Sequence, residues 1–142
     1  MENARELTAV CGLDCFNCPL FETIITEETR QHFAKLLNRA PEETSCKGCR
    51  AQKGCLLHMN DCATYHCATA KGVDFCFECA DFPCQYLQPA KEGADRFPHN
   101  YKLYNLCRIQ KVGVERWADE EATNIRNAYY NGKFVPGSGP VL

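Results

Sequence analysis

Eleven of the chain's twelve cysteines fall between residues 11 and 84, in closely spaced sets, and no other feature restricts the possible fold as much. From residue 41 to 93 there are eight cysteines but only seven Leu, Ile, Val or Phe residues. A segment so poor in apolar side chains cannot order its own backbone by burial, so cross-links or bound ions must impose its structure. The whole chain is little richer, with 29 such residues in 142, near the edge where a hydrophobic core alone suffices.

The compartment decides between disulfides and ions. In a secreted protein 12 cysteines in 142 residues would mark a disulfide scaffold, but the opening MENARELTAV lacks the basic start and apolar run of a signal peptide. A cytoplasmic location is expected, and in a reducing compartment thiols stay thiols unless a metal takes them. No apolar run approaches the roughly 18 residues of a membrane span, so no membrane association is expected. A net charge of −2 leaves no cationic excess to neutralise phosphates, which disfavours nucleic acid as a partner. A protein partner stays open.

Cys46, Cys49, Cys62 and Cys67 are spaced C-x2-C-x12-C-x4-C. A C-x2-C pair lets one tight turn aim two thiolates at one ion, and a loop of about 12 residues lets a second pair close the tetrahedron. Gly48 suits that turn. The bland alternative, four buried reduced thiols, would leave a polar loop without an interior. Cys76, Cys79 and Cys84 form a C-x2-C-x4-C triplet, and Cys11, Cys15 and Cys18 a C-x3-C-x2-C triplet followed by Pro19. Two incomplete triplets suggest a meeting in space, for example Cys15, Cys18, Cys76 and Cys79 around one zinc ion. Equally, Cys67 belongs with Cys76, Cys79 and Cys84, leaving Cys55, His58 or His66 to complete the first set. The expectation is two or three Zn2+ ions, with an iron-sulfur cluster on the same thiols as the alternative.

The C-x3-C-x2-C spacing also occurs in radical-SAM enzymes, but only 124 residues follow Cys18, with little βα alternation to build such a fold. The full ferredoxin spacings are absent as well. A catalytic zinc site calls for His ligands and an open position, whereas the four His are scattered. A Cys15/Cys18 redox pair would need a thioredoxin-like frame that is not visible. The reading leans against an enzyme. It favours an interaction or regulatory module, with a small redox carrier or redox sensor as the alternative.

Outside the cysteines, residues 19 to 40 carry Ile24, Ile25, Phe33, Leu36 and Leu37 in helical spacing, with a cap at Thr26 and a stop at Pro41. KEGADRFPHN (91 to 100) reads as a linker broken by Gly93 and Pro98, with Asn100 as the next cap. YKLYNLCRIQKVG predicts a helix ending near Gly113, with Cys107 a small core residue beside Leu106. From Val114 the positions Trp117, Ala118, Ala122, Ile125, Ala128 and Tyr129 predict a second helix ending at Asn131 and Gly132, with Trp117 as its core anchor. His32 and His99 read as surface or capping residues, and the charges of ERWADEE as a solvated face. The fold class expected is small, metal-rich and mainly α, with irregular Cys-rich loops: an N-terminal helix, central metal-binding loops and a C-terminal helical hairpin. One domain spans 1–142, with a Cys-rich part at 1–93, a helical part at 94–132 and an extended or mobile tail at 133–142.

The ordered set CGLDCFNCP, CKGCR, CATYHC, AKGVDFCFECADFPC and NLCRIQKVGVERW resembles a family of small prokaryotic proteins known as domain of unknown function 3795, over roughly residues 9 to 120. The resemblance implies a cytosolic, zinc-binding protein and no particular activity. It carries over Cys11, Cys15, Cys18, Cys46, Cys49, Cys62, Cys67, Cys76, Cys79 and Cys84 as ligand candidates. The resemblance implies that relatives often continue past the Trp-containing helix into a zinc ribbon, where this chain has GKFVPGSGPVL; any binding function of those ribbons is expected to be missing here.

Overall fold

A computed structural model describes residues 1–56, 61–87, 101–135 and 139–142. Among these the fold is mainly helical. The helices are α1 (Glu27–Leu37), α2 (Cys49–Gln52), α3 (Ala63–Lys71), α4 (Tyr101–Val112), α5 (Val114–Glu120) and α6 (Ala122–Asn131). Two short strands, β1 (Phe134–Val135) and β2 (Gly139–Pro140), pair antiparallel in the segment expected to be an extended or mobile tail.

Helix α1 starts where its cap dictates. The Thr26 hydroxyl accepts from the Thr29 N–H at 3.1 Å, and Glu27 and Glu28 complement the first turn. It stops three residues before Pro41, because Asn38 adopts the left-handed conformation at φ 51° and ends the ladder itself. Ile24 and Ile25 therefore lie outside the helix. Ile25, Phe33 and Leu37 cover a small core of Leu20, Cys46 and Leu56.

The main core is built on the C-terminal helices. Trp117, Leu106, Ala122 and Ile125 are fully buried, so the indole is the anchor its position predicted. The single helix expected from Val114 to Asn131 is divided at Glu121 (φ −120°, ψ −40°). Its apolar spacing runs through the break because the N–H groups of Glu121 and Ile125 still bond to the carbonyls of Trp117 and Glu121. Cys107 is a correction: it is exposed, since α4 buries Tyr101, Asn105, Leu106 and Ile109 instead. The linker at 91–100, with Gly93, Pro98, His99 and Asn100, lies outside the described residues, as does His58.

The middle segment is not without an interior. Phe75 and Leu87, each 1% exposed, insert into the core formed by the C-terminal helices. Arg50 fastens this arrangement: it donates to the Thr8 and Asp74 carbonyls at 2.8 and 2.7 Å and to the Asp74 carboxylate at 2.7 Å, with its guanidinium 5.0 Å from the centre of the Phe75 ring.

Candidate metal-binding site

The first cysteine triplet lies on a loop pinned to α4. Gly12 at φ 82° approaches so closely that a Cβ there would stand 2.9 Å from Leu106 Cγ. The Asn105 amide holds the Gly12 carbonyl at 2.8 Å. A 3-10 turn over Cys15–Asn17 then delivers Cys18. Two residues farther on, the Leu20 carbonyl accepts from the Cys46 N–H at 2.8 Å and the Cys46 carbonyl accepts from Glu22 at 2.9 Å. This pairing sets the 46/49 C-x2-C unit against the 15/18 unit. A Cβ at Gly48 would stand 3.8 Å from Cys15 Cβ. Gln52 Nε2 stands 3.4 Å from Cys46 Sγ.

A second gathering forms a pocket whose lining includes Cys67, Cys76, Cys79 and Cys84. The Cys76 N–H bonds to the Val10 carbonyl at 2.9 Å, tying this pocket to the first loop. Asp81 N–H stands 3.4 Å from Cys79 Sγ, and Lys71 pairs with the Asp81 carboxylate beside it. Cys67 thus lines the same pocket as Cys76, Cys79 and Cys84, one of the two groupings the spacing left open. The helix explains the separation: Cys62 caps α3 and Cys67 follows five residues later, roughly 140° around the axis, so the two aim at different places. Cys62 stays near enough to Cys11 and Cys49 for its charge to bear on both. The 15/18 unit lies beside 46/49. Cys55 is half-buried after α2. His66 is exposed on α3, edge-on to Tyr65, and His32 is exposed on α1.

All twelve cysteines are free thiols. Burial, followed by the charges of neighbouring thiols, pushes Cys15 and Cys76 up to about 12 and raises Cys11, Cys18 and Cys49. Left alone in neutral water these groups hold their protons; a cation among them would reverse the balance. Against the burial, the backbone at Leu13 and Leu20 favours the charged forms of Cys11 and Cys18, and the Asp81 N–H points back at Cys79 Sγ. Among the described residues no three or more His, Cys, Asp or Glu side chains have already converged into an ion-holding arrangement.

One cluster beside the thiols has no counterpart in the sequence reading. Asp14, between Cys11 and Cys15, is wholly buried and accepts from Tyr101 and Arg126, both at 2.6 Å. Its other oxygen, Asn105 Oδ1 and the Trp117 indole N–H have no partner among the described residues. The only local hint is an acid placed between cysteines in an otherwise apolar loop.

The family model described as "Protein of unknown function (DUF3795)" matches residues 7–89, which include every candidate ligand. No curated protein and no solved structure matches. Among the described residues no helix is long and apolar enough to cross a membrane.

Proposed function

We propose that this chain, which belongs to the DUF3795 family, holds zinc on two sets of four thiolates and works as a metal-stabilised interaction or regulatory module of the cytoplasm. One set is Cys15, Cys18, Cys46 and Cys49; the other is Cys67, Cys76, Cys79 and Cys84. The observation that carries this reading is the pocket that gathers Cys67, Cys76, Cys79 and Cys84, with the Asp81 N–H aimed at Cys79 Sγ at 3.4 Å. An N–H aimed at a sulfur from two residues beyond it stabilises that sulfur as a thiolate, and a neutral buried thiol has little use for it.

The donor chemistry fits zinc. All-sulfur tetrahedra are closed, so a bound ion would supply a cross-link and a fixed positive charge, with no open position for a substrate. Those cross-links would join residues 15–18 to 46–49 and α3 to residues 76–84. Anaerobic purification followed by elemental analysis tests the reading. Colourless protein with at least two zinc atoms per chain supports it; brown protein carrying iron and sulfide replaces it with the redox reading; metal-free protein with native amide-exchange protection over 44–56 and 61–79 overturns both.

A further inference from the structure

Helix α3 meets the second thiol set with one stripe of side chains. Thr64, Cys67, Ala68 and Lys71 all line the pocket that holds Cys76, Cys79 and Cys84, and their spacing places them on one side of the helix. Both ends of that stripe are fastened to the segment opposite. Near the start of the helix the Thr64 hydroxyl donates to the Tyr86 carbonyl at 3.0 Å, and at its last residue the Lys71 ammonium pairs with the Asp81 carboxylate. Cys67 lies between the two fastenings. Lys71 is the one cation among the described residues that line the pocket, and Asp81 is not among them. The ammonium therefore stands on the pocket wall and the carboxylate beyond it, on a residue whose own N–H is 3.4 Å from Cys79 Sγ.

We propose that Lys71 is a positioning residue of this set: its ammonium, anchored by Asp81, offsets the charge of the loaded thiolates and so governs how long their ion is retained. This rests on the thiolate-binding reading above and names the side chain that controls one of its two sites. A divalent ion on four thiolates leaves a net −2, carried here on four half-buried sulfurs. A cation on the wall lowers the energy of that loaded form and finds no such charge to meet when the thiols are neutral. The ion pair itself contributes little to the fold, since the Lys71 and Asp81 side chains are 40% and 69% exposed. Retaining the ion is thus separable from holding the helix.

The experiment is zinc release from the loaded full chain to a colour-forming chelator, under reducing, anaerobic conditions. The phase of release lost in Cys84→Ser marks this set. Lys71→Gln can still donate to Asp81 but carries no charge, and it is expected to release that zinc about tenfold faster, the effect of one charge acting through partly exposed surroundings. Lys71→Arg restores the charge and is expected to release it close to the wild-type rate, while the remaining zinc leaves all three proteins alike. On the wild-type chain, salt at about 1 M is expected to speed the same phase by screening the ammonium, a reading that needs no variant to fold. Lys71→Gln releasing zinc as slowly as wild type, or wild-type release indifferent to salt, overturns the role of Lys71 and leaves the two thiol sets standing. A chain with no zinc to release overturns the thiolate reading as well.

Discussion

Arg126 on α6 donates to the carboxylate of Asp14 at 2.6 Å, across 112 residues of chain, and Asp14 is completely buried. A charge in that position is tolerated only because the guanidinium and the Tyr101 hydroxyl, also 2.6 Å away, surround one of its oxygens. Breaking such a pair from one side strands the other charge. Arg126→Met is expected to cost about 3–5 kcal/mol in chemical denaturation. The double variant Asp14→Asn/Arg126→Met is expected to be more stable than Arg126→Met alone, since no buried charge remains. Equal stability of the two would show that the loss comes from packing against Tyr130, whose ring centre lies 5.0 Å from the guanidinium.

Gly12 and Gly72 both take positive φ, at 82° and 64°, but a Cβ meets Leu106 and the Lys102 carbonyl at the first and open space at the second. Gly72→Ala therefore carries only left-handed strain, about 1 kcal/mol. Gly12→Ala adds overpacking against α4 and is expected to cost about 3 kcal/mol. Thermal unfolding of the two variants side by side checks the ranking, and a Gly12→Ala protein no less stable than Gly72→Ala would contradict the close packing of this loop.

At Arg50 geometry matters more than charge. Its fork satisfies the carbonyls of Thr8, a buried residue, and Asp74. A lysine keeps the charge but cannot reach all three acceptors. Arg50→Lys is expected to lose about 2 kcal/mol, because buried carbonyls are left without donors. Arg50→Met should lose a similar amount. A lysine variant as stable as wild type, measured by urea titration, would show that the ion pair with Asp74 alone was at stake.

What the sequence made legible follows from the range of the interactions. Thr26, the 3.6-residue spacing after Val114 and the role of Trp117 are local signals, and the structure agrees with them. The buried face of α4 was misread at Cys107 because Asn105, a polar residue, takes an interior place to hold the Gly12 carbonyl. The burial of Asp14 has no local signal because its partners are 87 and 112 residues away. Spacing singled out the cysteines of the pocket, but whether Cys67 sides with Cys62 or with Cys76 depends on the rotation of α3, which spacing does not encode. The burial of Phe75 comes from helices that begin 26 residues later, beyond the reach of any local signal.

The break between α5 and α6 sits at Glu121, and Arg108 on α4 grips that carboxylate with two bonds of 2.7 and 2.6 Å. Hydrogen bonding by Arg108 holds the Glu121 carboxyl below its ordinary value of 4.5. A depressed acid contributes stability that is fully present above the unfolded pKa and is lost as pH falls through the folded one. Arg108→Met is thus expected to lose about 1 kcal/mol at neutral pH, the upper range for a partly exposed pair with two-bond geometry. The gap between variant and wild type should hold steady above the ordinary carboxylate range and close as pH falls below it, as the unpaired carboxyl of the variant and then the paired one take up protons. Raising salt to about 1 M should narrow the gap at neutral pH as well. Urea midpoints for both proteins across that range, on the same metal-loaded preparation, measure it. A gap that persists undiminished in acid would assign the contribution of Arg108 to its aliphatic stem packed along α4, and the carboxylate would then have no part in setting the helix break.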